Sequence, residues 1–217
     1  MIKAVLFDLD GTLADTAADL GGALNRLLLE EGLPIQPYSA IRPIASHGAR
    51  GLLELGVGVT PADPRFAKLR QRFLDHYEAC LTAETTLFDG IIPLIEQLAS
   101  RGLAWGIITN KPARFTDPLV AQLAWPVPPA VTVSGDTVGV AKPDPKPMRF
   151  AAEQLGVPAN LCWYVGDAER DIEAGRAVQM KTVLAGWGYI ANSDRPHEWG
   201  ADFSISHPLE LLPHLPV

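Results

Sequence analysis

The chain has 217 residues, 47% hydrophobic and 20% charged, enough to bury a sizeable core in one domain with an insertion or in two small domains. Its formal charge of -7 argues against nucleic acid or an anionic membrane as the main partner, and no apolar run approaches membrane-spanning length. Cys80 and Cys162 stand in separate apolar segments without pairing or metal-ligand spacing, which predicts buried free thiols.

The first element is an apolar run, Ala4-Val5-Leu6-Phe7, that reads as a strand buried on both faces and ending near Gly11. Its apolar part is too short for a secretory leader and runs straight into acids, so the expectation is a cytoplasmic protein. Asp15-Thr16 offers a helix N-cap with Asp19 in the first turn, and Leu20, Leu24, Leu27 and Leu28 recur at helical spacing up to Gly32 and Pro34. The polar stretch around Ser46-His47-Gly48-Ala49-Arg50 predicts a turn or helix start. Asp63-Pro64 predicts the opening of a helix whose buried stripe is Phe66, Leu69, Phe73 and Tyr77, running to about Leu81. Residues 16–86 thus read as all helical.

Beyond residue 87 strands and helices alternate. A helix over Ile91–Ser100 closes at Gly102, and Leu103–Ile108 reads as a strand leading into Thr109-Asn110-Lys111. The next helix ends near Leu123, with Pro118 either at its start or kinking it. Val131–Val133, Leu161–Val165, Thr182–Ala185 and Phe203–Ile205 supply further strands, with an amphipathic helix through Phe150 and Leu155. The pattern predicts an α/β fold, a Rossmann-like parallel sheet core over residues 1–15 and 87–217 with an inserted small all-helical cap at 16–86. Ligands of such sheets sit beyond the carboxyl ends of the strands.

The polar residues fall at those ends: Asp8 and Asp10 after the first strand, Thr109 and Asn110 after the second, Asp167 after Gly166. Two acids that close admit three readings: turn residues before a helix, a metal site, or a nucleophile beside an acid/base group. Phosphoryl transfer suits the pair. Asp8 would attack phosphorus while Asp10 serves the leaving oxygen and then water, and Mg²⁺ would offset the repulsion between acids and substrate. Thr109 can donate to a phosphate oxygen, Lys142 can place a charge on the phosphate and on Asp8, and Asp167 with Asp171 can complete the cation's ligands and orient Lys142. Each has an ordinary reading as well: a strand-end threonine, a solvated loop lysine, a Gly-Asp turn that caps a helix.

Taken together, Asp8-Leu9-Asp10-Gly11-Thr12, Thr109-Asn110, Lys142-Pro143 and Gly166-Asp167-Ala168-Glu169-Arg170-Asp171 resemble, in order and spacing, the four motifs of haloacid dehalogenase superfamily phosphatases. The resemblance implies Asp8 as nucleophile, Asp10 as acid/base, and Thr109, Asn110 and Lys142 as phosphate binders. It implies Mg²⁺ on the Asp8 carboxylate, the Asp10 backbone carbonyl and Asp167, with Asp171 supporting. One departure is visible: relatives tend to keep a glycine before the position of Met180, where this chain has Gln179.

Thr109-Asn110-Lys111-Pro112 and Gly186-Trp187-Gly188-Tyr189 are similar to phosphoglycolate phosphatases. Gly48-Ala49-Arg50, Trp199-Gly200-Ala201-Asp202 and His207–Leu211 are also similar to N-acetylmuramic acid 6-phosphate phosphatases. Both groups imply a small phosphate monoester that carries a carboxylate, which Arg50 could bind or else pack on its own helix as a surface arginine. The expected assembly is a monomer or weak homo-oligomer. A sugar phosphomutase uses the same two acids, and a non-catalytic phosphate-binding regulator would have lost one of them.

Overall fold

The computed structural model describes residues 1–215. The chain divides into two compact units, Met1–Ala14 with Leu87–Val217, and Asp15–Thr86. In the first, β1 (Ala4–Phe7), β4 (Ala104–Ile108), β5 (Val131–Val133), β6 (Cys162–Gly166), β7 (Lys181–Ala185) and β8 (Phe203–Ile205) form one sheet in the order β5-β4-β1-β6-β7-β8. Every neighbouring pair is parallel. Parallel pairing demands crossovers, and α5 (Ile91–Ser100), α6 (Ala113–Gln122), α7 (Lys146–Leu155) and α8 (Glu169–Ala177) provide them.

All four residues of β1 are buried, as an unbroken apolar run at the middle of a sheet must be. On one face Ala4 and Leu6 join Ile108, Val133, Tyr164, Met148 and Ala151 of α7, and Ala174 of α8. Each large side chain so covered contributes about 1.5–3 kcal/mol. The register aligns the carboxyl ends of the central strands. Phe7 lies opposite Ile107 on one side and Val165 on the other, so Asp8 is level with Ile108 and Gly166, and the three strands run out within a residue of one another.

Pro118 sits inside α6, which settles its position: the helix has already started at Ala113. Gln179, past the end of α8, has φ +62, the left-handed conformation in which a glycine is at ease. That is the physical content of the departure at this position. Met180 N–H still reaches back to Gly175 C=O at 3.0 Å, closing the helix end.

The second unit contains α1 (Ala17–Glu30), α2 (Tyr38–Ile41), a 3₁₀ turn (Arg42–His47), α3 (Gly48–Val57) and α4 (Phe66–Glu78). Leu24, Leu27, Leu28, Leu52, Leu53, Leu69, Phe73 and Tyr77 are buried in it. Thr16 holds the N-cap position of α1 as expected, without a side-chain capping bond, while Asp15 Oδ1 accepts from Ala17 N–H at 3.4 Å. Asp19 stands in the first turn as expected and accepts as well from Glu84 N–H and from the N–H and hydroxyl of Thr85. One local expectation is corrected by this unit. Asp63-Pro64 does not open α4, because the Asp63 carboxylate folds onto Arg65 N–H at 2.8 Å and onto its guanidinium, making a separate turn first. Two ribbon strands the periodicity could not show, β2 (Ala14–Asp15) and β3 (Thr86–Leu87), are two residues each and pair as a separate sheet.

Candidate active site

Asp8 leaves the end of β1 with its N–H bonded to Val165 C=O at 2.9 Å, and its Oδ1 accepts from Leu9 N–H at 2.8 Å. The side chain is almost wholly buried. The backbone then turns tightly: the N–H groups of Thr12, Leu13 and Ala14 all converge on Leu9 C=O, and Gly11 adopts φ +83. A Cβ on Gly11 would overlap Asp167, so this turn needs glycine for its space as well as its backbone.

Lys142 is the centre of the site and no solvated loop lysine, being 3% exposed. Its Nζ lies 3.0 Å from Asp8 Oδ1 and 2.8 Å from Asp171 Oδ1. It also donates to Ile108 C=O and to Tyr164 Oη, both at 2.7 Å. A charge this deep survives because two carboxylates and two neutral oxygens face it. Burial pushes the Asp8 carboxyl above its usual range; the Lys142 ammonium pulls it back, while the charges of Asp171 and Asp10 add to the rise. Tyr164 is raised well above the usual phenol value, first by burial and then by Asp171 and Asp8.

Asp167, also buried, is held at both oxygens. Thr12 Oγ1 donates to Oδ1 at 3.0 Å and Tyr189 N–H to Oδ2 at 2.8 Å. Gly188 lies against it so closely that a Cβ would overlap the Asp167 side chain. Asp171 Oδ2 accepts from Ala168 N–H at 3.0 Å, closing the start of α8. Carboxylate oxygens of Asp8, Asp167 and Asp171 come within 4.8 Å of one another, all three residues buried. Hard oxygen donors gathered this tightly fit a small divalent cation.

Thr109 is buried after β4, and its Oγ1 accepts from Lys111 N–H at 3.1 Å. Asn110, expected among the phosphate binders, meets the Lys142 backbone with its side chain. Its carboxamide donates to Lys142 C=O at 2.9 Å and accepts from Lys142 N–H at 2.8 Å, so it clamps the backbone that presents the lysine. Asp10, next to Gly11, meets the Lys111 ammonium at 2.8 Å. Arg50 belongs to the helical unit, exposed on the first turn of α3.

Four residues of this network were given no role by the linear sequence, although Thr12, Lys111 and Arg170 fall within the quoted motifs. Lys111 stands in plain view after Thr109-Asn110, but nothing in its spacing names a partner 101 residues away. Tyr164 reads as part of a buried strand run, and Thr12 as the end of a turn. Arg170 lies within the fourth motif without a role; burial works against its charge, and the carboxylates of Asp171, Asp8 and Asp167 outweigh this and raise its pKa.

A family model described as haloacid dehalogenase-like hydrolase matches residues 2–179. The phosphoglycolate phosphatase of Xanthomonas campestris pv. campestris is 43% identical over 209 residues, 96% of this chain and 94% of that protein. The N-acetylmuramic acid 6-phosphate phosphatase of Pseudomonas aeruginosa is 39% identical over 211 residues, 97% and 93% of the two chains. Among solved structures, a predicted phosphoglycolate phosphatase from Haemophilus somnus 129PT superposes with a TM-score of 0.84 at 21% identity, covering 98% of this chain and 97% of that one. CbbY of Rhodobacter sphaeroides, solved with phosphate, gives 0.76 at 23% identity, covering 97% and 96%. At these identities the two structures speak for the fold alone.

Proposed function

The chain belongs to the haloacid dehalogenase-like hydrolases and is a phosphatase of that family, and from this premise we propose that it hydrolyses a small phosphate monoester through a phosphorylated Asp8. The observation that supports it most is the placing of the Asp8 carboxylate against the Lys142 ammonium, with Asp167 and Asp171 completing a buried acidic cluster.

In the first step an Asp8 oxygen bonds to phosphorus as the ester's bridging oxygen leaves with a proton from Asp10. In the second, Asp10 takes a proton from water as that water attacks the same phosphorus and returns Asp8 to a carboxylate. Thr109 and Lys142 hold the phosphoryl oxygens, and Asn110 acts on them through the Lys142 backbone. Asp171 and Tyr164 keep the lysine aimed at Asp8. Mg²⁺ is the proposed cofactor: Asp8, Asp167 and the supporting Asp171, gathered in one buried cluster, would hold it together with the Asp10 carbonyl, and it would supply charge to offset that of the acids and of the phosphate dianion.

The substrate we propose is a phosphate ester with its own carboxylate, phosphoglycolate first, in keeping with the name of the Xanthomonas relative. Arg50 is the proposed carboxylate ligand. The name of the Pseudomonas relative supports N-acetylmuramic acid 6-phosphate as the second reading. No described helix is long and apolar enough to cross a membrane. The proposed working form is a monomer or weak homo-oligomer.

The test is phosphate release from 2-phosphoglycolate, N-acetylmuramic acid 6-phosphate and an aryl phosphate, with and without Mg²⁺. Release should need the metal and vanish in Asp8→Asn, and Arg50→Ala should raise KM for the carboxylate-bearing esters more than for the aryl ester. Full activity in Asp8→Asn, or in excess chelator, would refute the corresponding assignment.

A further inference from the structure

The turn after β4 spends three consecutive side chains on three separate tasks, and the third has no part in the phosphoryl-transfer steps. Thr109 Oγ1 receives Lys111 N–H, Asn110 clamps Lys142, and Lys111 sends its ammonium to Asp10. The Lys111 backbone is fixed at both ends. Besides the bond to Thr109, its C=O accepts from Thr116 Oγ1 at 3.0 Å and from Gly135 N–H at 2.9 Å. Gly135 is itself confined, since a Cβ there would overlap Asn110 C=O.

The side chain is as confined as the backbone. The Lys111 side chain is 7% exposed and that of Asp10 15%, with 2.8 Å between nitrogen and oxygen. Exposed pairs of this kind hold little geometry, because each partner keeps its rotamer freedom and water competes for both. Here the four-carbon stem is already packed, so the ammonium is a fixed point and not a wandering charge. Asp10 follows the end of β1 and precedes a glycine with positive φ; an isolated bridge to Ala14 steadies its backbone, and the aim of its carboxyl is set by the groups its side chain meets. A proton donor works only within hydrogen-bond reach of the ester's bridging oxygen, and a displacement of about 1 Å costs on the order of a hundredfold in rate.

We propose that Lys111 is a positioning residue for Asp10: its buried ammonium sets the direction in which the Asp10 carboxyl faces the leaving group. The inference rests on the acid/base role proposed for Asp10. It concerns orientation, and it acts through Asp10 without contact with the phosphoryl group.

The experiment measures leaving-group release in a single turnover with Mg²⁺ present, for p-nitrophenyl phosphate, 2-phosphoglycolate and an alkyl phosphate without a carboxylate. A nitrophenolate leaves without a proton, whereas an alkoxide does not. Lys111→Met keeps the apolar stem and removes the charge. It should slow release from both alkyl esters by roughly a hundredfold and from the aryl ester by less than about fivefold, the profile expected of Asp10→Asn. The double variant should be no slower than Asp10→Asn alone, because both changes remove one function. Lys111→Arg, which restores a cation, should recover at least about tenfold of the alkyl rate.

Equal slowing of all three esters by Lys111→Met would make the lysine a structural residue and overturn the proposal. Slowing confined to 2-phosphoglycolate would make it a ligand for the substrate's carboxylate and overturn it equally. If Asp10→Asn shows the leaving-group selectivity and Lys111→Met does not, only this inference falls. If Asp10→Asn lacks it, the acid/base role falls first.

Discussion

Lys142→Met removes the ammonium from the middle of the site and keeps most of the stem. Four contacts at 2.7–3.0 Å disappear: those to Asp8, Asp171, Ile108 C=O and Tyr164 Oη. Ile108 C=O keeps the Tyr164 hydroxyl as donor at 2.7 Å, so its loss is small. The two carboxylates are the expensive part, since breaking a buried ion pair by deleting one partner costs about 3–5 kcal/mol. We expect a loss of about 4 kcal/mol, read as a fall in Tm of roughly 8–16 °C for a chain of this size. Asp8→Asn placed on top of Lys142→Met removes one stranded charge and should recover about 2 kcal/mol. The pH dependence has a definite sign. A carboxyl whose folded pKa is raised, as that of Asp8 is, contributes stability below its ordinary value of 3.8 that is lost as pH rises through the folded value. Without the ammonium to oppose it, that rise grows, so the gap between variant and parent should widen with pH. Metal-free thermal and urea unfolding at several pH values is the assay. A Lys142→Met protein within about 1 kcal/mol of its parent, or a gap that narrows as pH rises, would refute the electrostatic account of the cluster.

Two other outcomes rest on single positions. Gln179→Gly should stabilise the protein by about 0.5–1 kcal/mol, because the left-handed backbone costs a side chain about 1–2 kcal/mol and glycine gives back part of that in unfolded-chain entropy. Gln179 is exposed, so no packing is lost, and a urea midpoint that falls would contradict the reasoning. Burial pushes the Cys162 thiol from about 9 up to about 11, which keeps it protonated and slow to alkylate with iodoacetamide at pH 8 in the folded state. The same shift makes it a group whose stabilising contribution is lost as pH climbs through 9 to 11; native alkylation at the speed of the urea-unfolded thiol would show the burial argument wrong.

Much of the sheet was readable because each of its strands is a short apolar run bounded by a turn residue, and Asp8, Thr109 and Asp167 could be placed at strand ends from that alone. The helical unit was readable in kind, with its boundaries shifted. An aspartate such as Asp19 or Asp63 chooses among several nearby N–H groups, and only the folded chain decides which. The pairing of Lys142 with Asp8 was anticipated, but the linear pattern could not supply Asn110 with the backbone of Lys142, or Lys111 with Asp10. A lysine's burial depends on who faces it, and the groups facing Lys142 come from the end of β1, from β4, from β6 and from the first turn of α8. Gln179 is the converse case, a place where a single residue departed from expectation and the backbone angle supplied the reason.

Because β1 is bonded along both flanks and the Asp8 amide is itself tied to Val165, that amide can exchange with solvent deuterium only when the interior of the sheet comes apart. Fraying at the margins, at β5 or β8, leaves it untouched. Heat should therefore release the Asp8 backbone only as the interior of the sheet melts, and the Asp8 amide should be among the slowest-exchanging protons.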